Sequence, residues 1–131
     1  MRDLESALAS YTGIFGYKLQ SGPYDDPIQK VSVCFLSRGL SGEPLIELVA
    51  PLNGGSPVTG VLKRGGGAYH WCYETQDLDR ALGEAVGAKF VLISGPAPAV
   101  AFGGRRIAWV YAPTLQLLEL LEEARPEEQR A

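Results

Sequence analysis

The chain predicts an α+β fold in which one β-α-β-β-β unit is used twice, with the first strand absent from the first copy. Three observations carry this expectation. Asp3-Leu4-Glu5-Ser6-Ala7-Leu8 returns as Asp77-Leu78-Asp79-Arg80-Ala81-Leu82, an offset of 74 residues. Ile46-Glu47-Leu48 returns as Leu118-Glu119-Leu120, an offset of 72. In both halves a stretch of helical spacing is followed by β-branched, apolar, strand-like runs.

Leu4, Ala7, Leu8 and Tyr11 fall on one face of a helix over 3–14. Asp3 suits its N-cap, because a carboxylate can accept from the free backbone N–H groups of a first turn. Phe15-Gly16-Tyr17 ends the helix. Residues 22–27 read as a polar turn, 31–36 as a strand, 38–43 as a turn and 45–50 as another strand. A glycine loop at 53–56 leads to a short helix over 57–63, with Pro57 in its first turn. Gly65-Gly66-Gly67 reads as a flexible joint; it precedes a strand, the wrong context for a phosphate-binding loop. The second half opens with a strand at 68–74 and a helix at 78–86 capped by Asp77. Three more strands follow at 90–93, 106–111 and 116–121. The Pro-, Ala- and Gly-rich segment 95–104 reads as a long loop. A single domain over 1–123 is expected, with modules at about 1–64 and 68–123 and a flexible, charged tail at 124–131.

A net charge of −3 leaves no basic footprint for nucleic acid. No apolar run approaches the roughly 18 residues of a transmembrane helix. No basic-then-apolar start marks a signal peptide, so a cytoplasmic protein with no membrane partner is expected. Cys34 and Cys72 are unpatterned and flanked by apolar residues, so both read as buried, reduced thiols.

Strand alternation places Leu45, Glu47 and Val49 on one face, and Leu117, Glu119 and Leu121 on one face. It also sets His70, Cys72 and Glu74 opposite Tyr69, Trp71 and Tyr73. A carboxylate within an apolar strand is costly unless it is solvated, paired or metal-bound. Taken singly, each glutamate fits a solvated face, and the one histidine of the chain fits a structural role. Taken together, the repeat-related Glu47 and Glu119 with His70 make a mixed oxygen and nitrogen set. That set suits a six-coordinate divalent ion (Zn, Ni, Co, Mn or Mg) with water in the open positions. Arg105-Arg106 beside Gly103-Gly104 fits a solvated turn, with a substrate phosphate or carboxylate as the alternative.

Several of these stretches resemble the vicinal oxygen chelate superfamily, which includes glyoxalase I, methylmalonyl-CoA epimerase, lactoylglutathione lyase-like and bleomycin-resistance proteins. The likeness runs through Tyr11-Thr12-Gly13-Ile14-Phe15-Gly16-Tyr17, Ile46-Glu47-Leu48-Val49-Ala50-Pro51-Leu52, Ser56-Pro57-Val58, Tyr69-His70-Trp71-Cys72-Tyr73-Glu74 and Leu118-Glu119-Leu120. It is nearest to the epimerases, from which the chain departs at Tyr69, where the family has a first His, and in the 96–104 loop. The resemblance implies two βαβββ modules curled around a metal held by Glu47, His70 and Glu119. It also implies a fourth ligand, a His on the first strand. By the repeat, that His would lie seven residues before Asp3, ahead of Met1. Metal binding by this chain is therefore expected to be weak or absent. The strand's absence leaves unpaired edge groups that invite a homodimer.

The function expected is a metal-dependent lyase or isomerase of the glyoxalase or methylmalonyl-CoA epimerase type. Its substrate would carry vicinal oxygens or an acyl thioester, and Glu119 and Glu47 would be the bases. The alternative is a binding protein of the same fold that sequesters a small molecule without chemistry. Trp71, Trp109, Tyr69, Tyr73 and Tyr111 would line its cleft.

Overall fold

The computed structural model describes residues 3–124. The expected tail lies, beyond Ala124, outside the described residues. The chain divides into two compact units at the Gly67–Ala68 junction, at the end of the triple-glycine run. The first contains α1 (Leu4–Ile14), β1 (Lys18–Asp26), β2 (Val31–Ser37), β3 (Ile46–Pro51) and α2 (Val58–Lys63). The second contains β4 (Trp71–Thr75), α3 (Leu78–Gly87), β5 (Val91–Pro98), a short 3₁₀ turn (Val100–Phe102), β6 (Arg106–Tyr111) and β7 (Leu117–Glu122). These are the α-β-β-β and β-α-β-β-β orders read from the sequence.

The repeat is physical as well as textual. Asp3 caps α1 by accepting from the Glu5 N–H at 3.0 Å, and Asp77 caps α3 by accepting from the Arg80 N–H at 3.0 Å. Hydrogen bonds from the Ser6 hydroxyl and the Glu5 N–H hold the Asp3 carboxyl below its usual range. The first sheet runs β1-β2-β3, all antiparallel. The second runs β4-β7-β6-β5, with β4 parallel to β7 and the other pairs antiparallel. In the second unit β4 covers the outer edge of β7. Among the described residues, no strand pairs with the corresponding edge of β3.

Each helix packs on one face of its own sheet. Leu4, Ala7, Leu8 and Tyr11 of α1 lie against Cys34, Leu36 and Leu48. Leu78 and Leu82 of α3 lie against Ala108 and Val110, with Leu118 and Leu120 beside them. The alternate strand positions therefore face away from the helices. In the second unit a separate cluster of Ala99, Ile107 and Leu121, joined by Phe102 and Trp109, occupies that opposite face.

Two sequence expectations need correction. Residues 22–27 are not a turn: β1 continues to Asp26, and the turn follows at 27–30. Likewise the 95–104 segment is strand as far as Pro98 and then folds into the 3₁₀ turn. In both strands glycine and proline sit where the ladder slips, at Ser21/Tyr24 in β1 and Ser94/Ala97 in β5. Both are edge strands, where a bulge and a missing N–H are tolerated.

The cysteines also differ from expectation. Cys34 is buried, but Cys72 is exposed, because it lies on β4, an edge strand whose side chains from Trp71 to Glu74 are all exposed. Burial, and then the charge of Glu47, push the Cys34 thiol above its ordinary range. A thiol reagent is expected to modify Cys72 quickly and Cys34 only on unfolding. At alkaline pH the unfolded chain ionises Cys34 before the folded chain does, so stability should decline as the pH rises through that range. Two equally fast thiols in the folded protein would contradict this arrangement. Among the described residues, no helix is long and apolar enough to cross a membrane.

Candidate functional site

The alternation of β7 decides where its carboxylate goes. Leu118 and Leu120 face α3, so Glu119 and Leu121 face the opposite side of the sheet. Glu119 is there only 3 % exposed. A carboxylate out of water needs a counter-charge, a proton or a metal. Its neighbour is His70, whose Nε2 lies 3.4 Å from Glu119 Oε1, with both side chains almost fully buried. The two atoms are close but not aligned, and Glu119 Oε1 accepts no hydrogen bond among the described residues.

The surroundings of the pair come from three strands. Cys72 on β4 and Trp109 on β6 flank Glu119 in the ladder. The His70 ring meets two aromatic rings edge-on, Tyr69 at 4.5 Å and Trp109 at 4.8 Å between centroids. Trp71 and Tyr73 pair with Leu118 and Leu120 and so lie on the α3 face, away from Glu119. The aromatic cleft expected from all five residues is thereby divided between two faces. Of the five, Tyr69 and Trp109 contact His70.

In the first unit Glu47 is placed as its repeat mate would require. It pairs with Phe35 across β2 and β3, as Glu119 pairs with Trp109. It is half-buried and on the face away from α1, and its charge reaches the Cys34 thiol.

A nitrogen and a carboxylate oxygen can ligate one ion without a hydrogen bond between them. Adjacent ligand atoms on an ion with bonds of about 2.1 Å stand roughly 3.0–3.4 Å apart. The His70–Glu119 separation matches that spacing, and the buried Oε1 without a donor is the type of atom a cation would satisfy. The donor set therefore fits a divalent metal.

Arg105 and Arg106 do not form a solvated turn or an open anion site. Arg106 donates to Glu122 at 3.2 Å and to Asp79 at 3.0 Å, tying the first turn of α3 to the sheet. Both partners, Asp79 first, hold its guanidinium firmly in the charged form. Arg105 donates to the backbone carbonyls of Phe102 and Glu122 and lies over the Phe102 ring. The contact of Trp109 with His70 went unforeseen in the sequence; the hairpin register contains the signal only for the pairing of Trp109 with Glu119.

Residues 1–109 match the family model for the Glyoxalase/Bleomycin resistance protein/Dioxygenase superfamily. The chain is 38 % identical over 78 residues to ethylmalonyl-CoA/methylmalonyl-CoA epimerase of Cereibacter sphaeroides, covering 58 % of this chain and 55 % of that protein. It is 33 % identical over 103 residues to the mitochondrial methylmalonyl-CoA epimerase of Bos taurus, covering 77 % of this chain and 57 % of that one. The match thus spans little more than half the length of these curated relatives. The crystal structure of methylmalonyl-CoA epimerase from Mycobacterium tuberculosis shares the fold, with a TM-score of 0.82 and 24 % identity over 100 % of this chain and 87 % of that one. With two capped βαβββ-type repeats and a family match over residues 1–109, the chain belongs to the Glyoxalase/Bleomycin resistance protein/Dioxygenase superfamily.

Proposed function

We propose that this chain epimerises an acyl-CoA thioester at the carbon beside its carbonyl, and that Glu47, His70 and Glu119 hold a divalent ion for that purpose. The observation that carries the reading is the buried His70–Glu119 pair, 3.4 Å apart with Glu119 Oε1 accepting no hydrogen bond among the described residues. The epimerase names of two relatives support the substrate class. Glu47 joins the set as the repeat mate of Glu119, each opposite an aromatic residue on the preceding strand.

A divalent ion at this site would act as a Lewis acid that polarises the thioester carbonyl and acidifies the neighbouring C–H. The remaining chemistry falls to the side chains. One glutamate, as the carboxylate, removes the α-proton to leave a planar carbanion, and its repeat mate, carrying a proton taken from solvent, gives that proton to the other face; the two then exchange protons with solvent to reset. His70 contributes a neutral imidazole nitrogen. Trp109, Ile107 and Leu121 form an apolar wall on the Glu119 face of the sheet, which keeps bulk water from protonating the carbanion.

The test is isotopic. Methylmalonyl-CoA or ethylmalonyl-CoA incubated with the chain and a divalent metal in D2O should gain deuterium at the α-carbon and lose optical purity. Chelation should stop both. Binding of the thioester without exchange, at saturating metal, would favour the sequestering protein instead and end the epimerase reading.

A further inference from the structure

We propose that Trp109 is the positioning residue of this site: it fixes the His70 imidazole in its ligating orientation. The inference rests on the reading of His70 and Glu119 as ligands and goes beyond it. His70 precedes Trp71, the first residue of β4, and its ring is met edge-on by two aromatic side chains. Tyr69 meets the ring at 4.5 Å, but it is the chain neighbour of His70 and lies outside the strands as His70 does. Trp109 is different. It sits within β6, paired with Ser94 on one side and Glu119 on the other, and packs on the Ala99, Ile107 and Leu121 cluster. Its ring meets His70 edge-on, at 4.8 Å and 70°, the preferred arrangement for two aromatic rings.

Trp109 is therefore a fixed wall that touches one proposed ligand and is the ladder neighbour of the other. The first unit repeats the arrangement with Phe35 opposite Glu47. An aromatic residue directly across from each glutamate belongs to the repeated unit. Phenylalanine at 109 should preserve the edge contact, whereas leucine should fill space without it.

The experiment uses Co2+ and the full chain. Trp71→Phe leaves Trp109 as the single tryptophan, since the chain has two. Co2+ should quench its emission on binding, and His70→Ala should remove both binding and quenching. By calorimetry, Trp109→Leu should weaken Co2+ binding about 10–100-fold, as loss of a ligand-orienting partner does, with Trp109→Phe within about threefold of the parent. Co2+ binding that survives His70→Ala, or no binding at millimolar metal, would overturn the ligand reading and this inference with it. Loss of binding in His70→Ala together with parental affinity in Trp109→Leu would overturn the Trp109 role alone. Should Trp109→Leu fail to fold, the emission of Trp109 decides: no quenching at saturating Co2+ overturns the proposal.

Discussion

Glu119→Gln is expected to lower the rate of α-proton exchange by about 10²–10⁴-fold, the usual worth of a positioned acid or base, without destabilising the fold. Gln matches Glu in shape but accepts no proton at this position and is a poorer metal ligand. The stability side of the prediction follows from burial. Glu119 is 3 % exposed and its Oε1 accepts no hydrogen bond among the described residues. A site of that type keeps a charge out of water at a cost, and removing the charge relieves it. The urea midpoint should therefore stay level or rise while exchange collapses. Parallel exchange assays and urea titrations on the two proteins check this. A large fall in the midpoint would assign Glu119 to the structural framework, with lost activity as a by-product.

Much of this arrangement was legible in the sequence because alternation along a strand carries the information. Leu118, Glu119 and Leu120 can be placed on faces once the run is recognised as a strand, and the helix must cover the leucines. The N-caps were legible for the same local reason, since Asp3 and Asp77 act on N–H groups only two or three residues away. The edge strands were not. A glycine-proline pair inside β1 and another inside β5 resemble turn signals, and only the bulged pairing with the next strand makes them strand residues.

Long-range partners account for the remaining gaps. Arg106 looks like part of a solvated turn until Asp79 and Glu122 are seen beside it, and neither is near it in sequence. The place of Trp109 next to Glu119 could have been counted out. The turn closes with the Ala112 N–H donating to the Gln116 carbonyl at 3.0 Å. Three steps back from Ala112 and three forward from Gln116 reach Trp109 and Glu119, which are paired. The contact of Trp109 with His70 required the parallel β4–β7 pairing as well, and no local pattern encodes that crossover.

Gly95→Ala is expected to cost about 2–4 kcal/mol of stability, the range for a residue forced into both a strained backbone and a steric clash. Gly95 has a φ of +90°, and a Cβ there would stand 2.6 Å from the Ile107 carbonyl oxygen and 3.0 Å from the Ala108 Cα. Both obstacles are backbone atoms of β6, so no side chain can swing aside. The repeat supplies an internal control: Gly22 has a φ of +92° and its Cβ would stand 2.9 Å from the Val33 carbonyl oxygen. Gly22→Ala should therefore be destabilising too, by a somewhat smaller amount. Gly83 within α3 has nothing within 4 Å of a built Cβ, and Gly83→Ala should gain up to about 1 kcal/mol from helix propensity. Urea unfolding of the three variants should thus show two losses and one gain. Since β5 lies beside β6 and Trp109 stands on β6 opposite Ser94, Gly95→Ala should also disturb the wall that meets His70. A Gly95→Ala chain as stable as its parent would mean that β5 can draw away from β6, and the close approach would not be what holds this edge of the sheet.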